Sequence, residues 1–162
     1  MHLLKLLILL IVMLFQGGSM KIENLTTSFD SATQMQITIE NMTTTLQKGD
    51  QKFEKILNSL KNITKYSHEM PAFGVSLDEL TREEMQTGTW LELIFDNTYE
   101  YNEMPFDALL IKVEKDAYGF NLIRKQNGKY EGRCFYLSLE GSMKELYDEI
   151  DTTSLENHSN DK

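Results

Sequence analysis

The stretch from Tyr118 to Leu139, YGFNLIRKQNGKYEGRCFYLSL, restricts the fold of this chain more than any other. Asn127-Gly128 is the preferred pair for a two-residue type I′ turn, because both residues tolerate positive φ. Aromatic, β-branched and apolar residues flank it on both sides, the pattern of a β-hairpin. Placing Gln126 opposite Lys129 sets Arg124 against Glu131, Leu122 against Arg133, Phe120 against Phe135 and Tyr118 against Leu137. The other face carries Asn121, Ile123, Tyr130, Cys134 and Tyr136. Both faces hold apolar surface, so the hairpin belongs inside a sheet.

The rest of the chain supplies strands and helices around it. Met35, Ile37 and Ile39 alternate with Gln36, Thr38 and Glu40 as in a half-buried strand, and the parity then shifts to Met42, Thr44 and Leu46. A turn or bulge near Glu40-Asn41 accounts for the shift. Asp50 is placed to cap a helix whose stripe is Phe53, Ile56, Leu57, Leu60 and Ile63. After a loop at Met70-Pro71-Ala72-Phe73-Gly74, Ser76 and Glu79 form a capping box for a short helix carrying Leu77, Leu80 and Met85. Trp90 to Phe95 and Ala108 to Glu114 read as strands, joined by an acidic connection from Asp96 to Met104. A second capping box, Ser142 and Glu145, opens a last helix with Met143, Leu146, Tyr147 and Ile150 buried. The order β-α-α-β-β-β-β-α predicts an α+β fold, with an antiparallel sheet of about five strands and three helices mainly on one face. Residues 34–151 form a single domain in this reading, preceded by a polar tether or edge strand over 20–33 and followed by a polar tail over 152–162.

The first nineteen residues stand apart. Leu3 to Phe15 is apolar except for Lys5, and as a helix would span about 20 Å, short of the roughly 30 Å hydrocarbon core. Two readings fit. One is a secretory signal with small residues at Gly17 and Ser19, which leads to a secreted or envelope-associated domain. The other is a start of translation at Met20, Gln16-Gly17-Gly18-Ser19 being compatible with a purine-rich ribosome-binding sequence, which leads to a cytoplasmic protein. Membrane contact is expected only if residues 3–15 are retained.

Composition excludes some functions. The 16 basic and 25 acidic residues give a net charge of −9, which repels phosphate backbones, and no basic patch offsets it. Nucleic acid is not an expected partner. Cys134 is the only cysteine, so an intramolecular disulfide and a Cys-based zinc site are ruled out. His2, His68 and His158 are scattered, and no phosphate-binding glycine loop occurs. No catalytic or metal constellation is legible, and no cofactor is expected.

Two groups of residues are candidates for binding. Both prolines follow Glu-Met, at Met70-Pro71 with Phe73 and at Met104-Pro105 with Phe106, and two such loops would present adaptable apolar tips. The hairpin offers Arg124, Tyr130, Glu131, Arg133 and Tyr136, arginine among aromatics being typical of recognition surfaces. The expected function is that of a small, acidic, non-enzymatic domain that binds another protein through the hairpin, the Met-Pro loops or a sheet edge. The alternative is a small-molecule binder or hydrolase, with a pocket between curved sheet and helices lined by Trp90, Phe120, Tyr136 and the two loops. The Asn-, Lys- and Ile-rich composition has the flavour of an AT-rich bacterial genome.

Overall fold

The computed structural model describes residues 18–71 and 74–159. Residues 1–17, with the apolar run, and Phe73 lie outside them. The strands are β1 (Met20–Lys21), β2 (Ala32–Ile39), β3 (Met42–Gln47), β4 (His68–Met70), β5 (Val75–Ser76), β6 (Thr89–Tyr101), β7 (Met104–Lys112), β8 (Gly119–Gln126), β9 (Lys129–Tyr130), β10 (Gly132–Arg133) and β11 (Phe135–Ser138). Helices α1 (Gln51–Thr64), α2 (Asp78–Glu84) and α3 (Lys144–Ser159) join a 3-10 helix at Thr26–Ser31.

The α+β class holds, with a larger sheet and one more helix than expected. Nine strands form one sheet in the order β3-β2-β6-β7-β8-β11-β4, with β1 beside β6 and β9 beside β8, while β10 and β5 make a separate pair. All pairs are antiparallel except β1 with β6. Three tight turns stitch the sheet together, and each has two consecutive residues at positive φ: Glu40-Asn41, Asn102-Glu103 and Asn127-Gly128. That is the type I′ geometry whose twist matches the flanking strands. Only the third announces itself by composition, and so the segment read as an acidic connection over 96–104 is instead the second half of β6 and a hairpin into β7.

Alternation divides the sheet into two faces. The inner face brings Met35, Ile37, Leu91, Leu93, Phe95, Leu109, Ile111, Phe120, Leu122, Phe135 and Leu137 against Phe53, Ile56, Leu57 and Leu60 of α1 and Met143, Leu146 and Ile150 of α3. Phe95, Phe106 and Phe135 pass edge to face across it, with ring centroids 5.7 and 6.1 Å apart. Residues 20–33, read as a polar tether or edge strand, contain the short strand β1 and the 3-10 helix. β1 docks on β6, and the 3-10 helix drives Leu25 and Phe29 fully into the same core. The last helix continues to Ser159, into the segment read as a polar tail.

The outer face is smaller and mixed: Trp90, Leu110 and Tyr130 cluster with Met85 and Ile123. Helix α2 lies here, so the expectation of three helices mainly on one face fails for this one. Its neighbours explain why. The Ser76 hydroxyl makes no capping box: it bonds the Thr81 hydroxyl at 2.8 Å and donates to the Tyr130 carbonyl at 3.2 Å. Thr81 is thereby the buried residue of α2, whereas Leu77 and Leu80, the expected apolar stripe, are exposed.

The central hairpin is present but not in the expected register. Lys125 pairs with Tyr130 and Gln126 with Lys129 as predicted, yet Leu122 pairs with Phe135 and Phe120 with Leu137. The returning strand has gained two residues between these points. A shift of two preserves the faces, because strand side chains alternate with a period of two. The extra length is spent on a detour in which Gly132 pairs with Ser76 and Arg133 with Val75. Gly132 sits at φ 97°, and a Cβ there would fall 2.6 Å from Arg124 Nη2. Arg124 does not meet Glu131. It donates from Nε to the Arg133 carbonyl and from Nη1 to the Pro105 carbonyl, both at 2.7 Å.

Candidate functional site

The detour of β10 and the placement of α2 create a cleft on the outer face. Segment 74–77 crosses beside Arg133, α2 follows it, and the floor is formed by Asn121, Ile123 and Cys134. Val75, Leu77 and Leu80 rim the opening with 64, 56 and 54% of their surface exposed. Three large apolar side chains left in water beside one concavity form a patch, whereas scattered single exposures would carry no meaning. Glu84 also lines the cleft, and Glu79 and Glu83 lie exposed on the same helix, so the apolar rim has an acidic border.

Beneath α2 lies a buried polar group that anchors the hairpin on which the helix rests. Glu92 is 2% exposed in the middle of β6. Its Oε1 accepts the Tyr130 hydroxyl at 2.7 Å and the Lys125 ammonium at 3.1 Å. Burial, then the neighbouring Glu92 charge, pushes the Tyr130 phenol far above its ordinary range, so it is a donor and never a base at physiological pH. Lys125 and Arg82 lie over the Tyr130 ring at 4.8 and 5.0 Å. Asp78 accepts from Arg82 Nε at 2.9 Å and from the Tyr130 amide at 2.8 Å, and Arg82 also reaches the Gly128 carbonyl at 2.7 Å. The Arg82 hydrogen bond, followed by that of the Tyr130 amide, holds the Asp78 carboxyl below its usual range. Asp78 and Arg82 thus bind α2 to the hairpin, while Glu92 and Lys125 tie the hairpin to β6 beneath it.

The residues singled out from the sequence separate accordingly. Tyr130 is buried in the outer cluster, and Arg124 is a backbone clamp. Phe106 is fully buried in the inner core, and Met104, at the start of β7, packs against that core. Met70 ends β4, paired with Tyr136 of β11, so the two Glu-Met-Pro segments are strand ends and not twin loops. The tip of the β6-β7 hairpin nevertheless reaches β4, where the Tyr101 hydroxyl donates to Glu69. Glu131 and Arg133 are exposed beside the cleft, and Tyr136 is half-buried on the outer face with its hydroxyl over Gly119. The residues that make the cleft, Val75, Leu77 and Leu80, were not candidates. Their one sequence signal was that Ser76 and Thr81 bracket the two leucines, and a hydroxyl pair of that kind competes with an apolar stripe for the buried side of a short helix.

The chemistry available here is limited. Cys134 is buried, and burial raises its thiol above the ordinary value while Arg124 lowers it less, so thiolate formation is disfavoured. No group of three metal-ligating side chains occurs among the described residues. The space between sheet and helices, expected to hold a pocket with Trp90 and Phe120, is filled by core side chains, and those two residues lie on opposite faces. The cleft itself measures about 230 Å³, below the roughly 300–1,000 Å³ of pockets that enclose small molecules. A second groove of about 360 Å³ has a mixed lining, Asp96, Thr98, Asp107 and Lys125 together with Ile94 and Ala108. Its carboxylates are engaged, Asp96 by the Thr33 hydroxyl and Asp107 by the Asn127 amide. Comparison of the chain with family models, with curated proteins and with solved structures gives no match.

Proposed function

We propose that this protein is a non-enzymatic binding module whose outer-face cleft receives an apolar anchor from a basic segment of another protein. One observation carries the reading: Val75, Leu77 and Leu80 remain more than half exposed around a concavity while the Ser76–Thr81 pair takes the buried position beside them. Burying such side chains on association gives a favourable hydrophobic term of about 25 cal/mol per Å² of apolar area, which must exceed the entropy lost on binding, and a small cleft suits one or two anchoring side chains. Glu84 in the cleft, with Glu79 and Glu83 exposed on the same helix of a chain of net charge −9, favours lysine or arginine next to the anchor and speeds encounter with it.

Peptide display tests this directly. Selection on the wild-type protein, with a Leu77→Ser/Leu80→Ser variant as counter-selection, should enrich short sequences that combine Leu, Ile or Phe with adjacent Lys or Arg. Enrichment of peptides that bind both proteins equally, or no enrichment at all, would overturn the reading.

A further inference from the structure

The sheet's far edge, away from the cleft, is built in an unusual way. Strand β3 has the sequence MTTTLQ and pairs only with β2 among the described residues. Edge strands normally carry charges, prolines or bulges that discourage further pairing. In a chain of 25% charged residues, this one has none of the three.

Its hydrogen-bonding pattern follows from the turn. Glu40-Asn41 closes a two-residue hairpin, so Ile39 and Met42 exchange both backbone bonds, and bonded pairs recur at Ile37 with Thr44 and Met35 with Leu46. The Lys48 amide donating to the Thr33 carbonyl at 3.0 Å continues the same alternation. Thr43, Thr45 and Gln47 therefore turn their amides and carbonyls away from β2. The Gln47 amide is closed off by the Asp50 carboxylate at 2.8 Å, which leaves the Thr43 and Thr45 groups open.

We propose that β3 pairs antiparallel with β3 of a second copy of this chain, about a two-fold axis through Thr44. Outward-facing residues must meet outward-facing residues, so only registers of one parity are allowed. The register centred on Thr44 pairs Thr43 with the partner subunit's Thr45 and Thr45 with the partner subunit's Thr43, each exchanging both backbone bonds. It sets Met42, 61% exposed, against the partner subunit's Leu46 on the inner side. It also brings the Glu40 turn opposite the partner subunit's Lys48. Moving the axis to Thr45 would instead oppose Glu40 to the partner subunit's Asp50, a like-charge contact. The occupant is a second copy because the register that matches the open backbone groups also sets the Glu40 turn against the partner subunit's Lys48, with no charge along MTTTLQ between them. A six-residue pairing is shorter than a standard interface of ~1,200–2,000 Å² requires, so the dimer depends on concentration. It also leaves both clefts free at the outer ends of a continuous sheet.

The test is sedimentation velocity on the full chain over a concentration series. The wild type should pass from monomer to dimer. Thr44→Lys, which puts two ammonium groups on the axis, should raise the dissociation constant at least tenfold, as should Thr44→Glu. An equimolar mixture of the two variants should restore dimer. Thr44→Cys should form a disulfide-linked dimer under mild oxidation, since a non-bonded antiparallel pair holds its Cα atoms ~4.5 Å apart, within disulfide range. Buried Cys134 offers no competing thiol. Near-UV circular dichroism of each variant checks that the fold is retained. A wild type that stays monomeric throughout, or a dimer that Thr44→Lys does not weaken and Thr44→Cys does not cross-link, overturns the proposal.

Discussion

The two faces of the sheet are built on opposite terms. The centre of the inner face is an apolar core that α1, α3 and the 3-10 helix cover. The outer face under α2 buries a carboxylate and a phenol, joins the carboxylate to a partly exposed ammonium, and then leaves valine and leucine in water. The first arrangement maximises burial and accounts for stability. The second fixes a short helix by specific polar pairs so that its apolar residues stay outside, a geometry that stability alone would not select. This difference is the reason for placing function on the outer face.

The largest effect should come from the inner face. Leu109→Ala removes a fully buried side chain between sheet and helices, and should lower the unfolding free energy by about 3–4 kcal/mol in denaturant titration. A loss below 1 kcal/mol would mean that the inner core is loosely packed and that the contrast is false. On the outer face, Glu92→Ala leaves the Tyr130 hydroxyl and the Lys125 ammonium without their shared acceptor, and should cost about 2–3 kcal/mol. Leucine at position 92 should recover much of that loss only if Lys125 can swing to solvent, which a double-mutant cycle with Lys125→Met would measure.

Two pH effects distinguish the faces further. The Tyr130 phenol has a higher pKa in the folded chain than unfolded, so the folded state holds its proton longer. Its contribution is complete below the unfolded value of 10.0 and is lost as pH rises beyond it. Stability should therefore fall above about pH 10 in the wild type, and less steeply in Tyr130→Phe. Asp78 has the reverse sign: its folded pKa is depressed, so its support of α2 is present above 3.8 and is lost as pH falls through the lowered value. Hydrogen exchange should show α2 amides losing protection in acid before those of α1. Simultaneous loss in both helices would contradict a separately fastened α2.

The smallest effect tests a turn. Glu103 lies at φ 61°, a region that costs a non-glycine residue roughly 1 kcal/mol, so Glu103→Gly should stabilise the β6-β7 hairpin by about 0.5–1 kcal/mol. A destabilised variant would show that the Glu103 side chain makes a compensating contact.

Much of the inner face was readable from the chain because alternation and helical spacing report burial directly. Phe53, Ile56, Leu57 and Leu60 and the Leu91-Leu93-Phe95 set fall where their periods place them. The Asn127-Gly128 turn was readable for the same reason, as its φ values need those residues. Asn102-Glu103 was not, because glutamate at positive φ is tolerated only through the surrounding pairing. The hairpin register failed at Glu131 to Cys134, where contacts with Val75 and Ser76, over fifty residues away, decide the path. The cleft was hidden for a related reason. A Leu77-Leu80-Met85 stripe reads as buried, and only the Ser76–Thr81 bond and the Arg82 clamp on the hairpin turn the leucines outward.

The central claim is that Leu77 and Leu80 are exposed for a partner and not for the fold. The most direct measurement pairs the melting temperature of Leu77→Ser/Leu80→Ser with its affinity for the strongest display-selected peptide, each against wild type. Serines at these exposed positions should shift stability by no more than about 0.5 kcal/mol while weakening the peptide at least tenfold. A variant that melts several degrees lower, or that binds the peptide as tightly as wild type, would contradict the account.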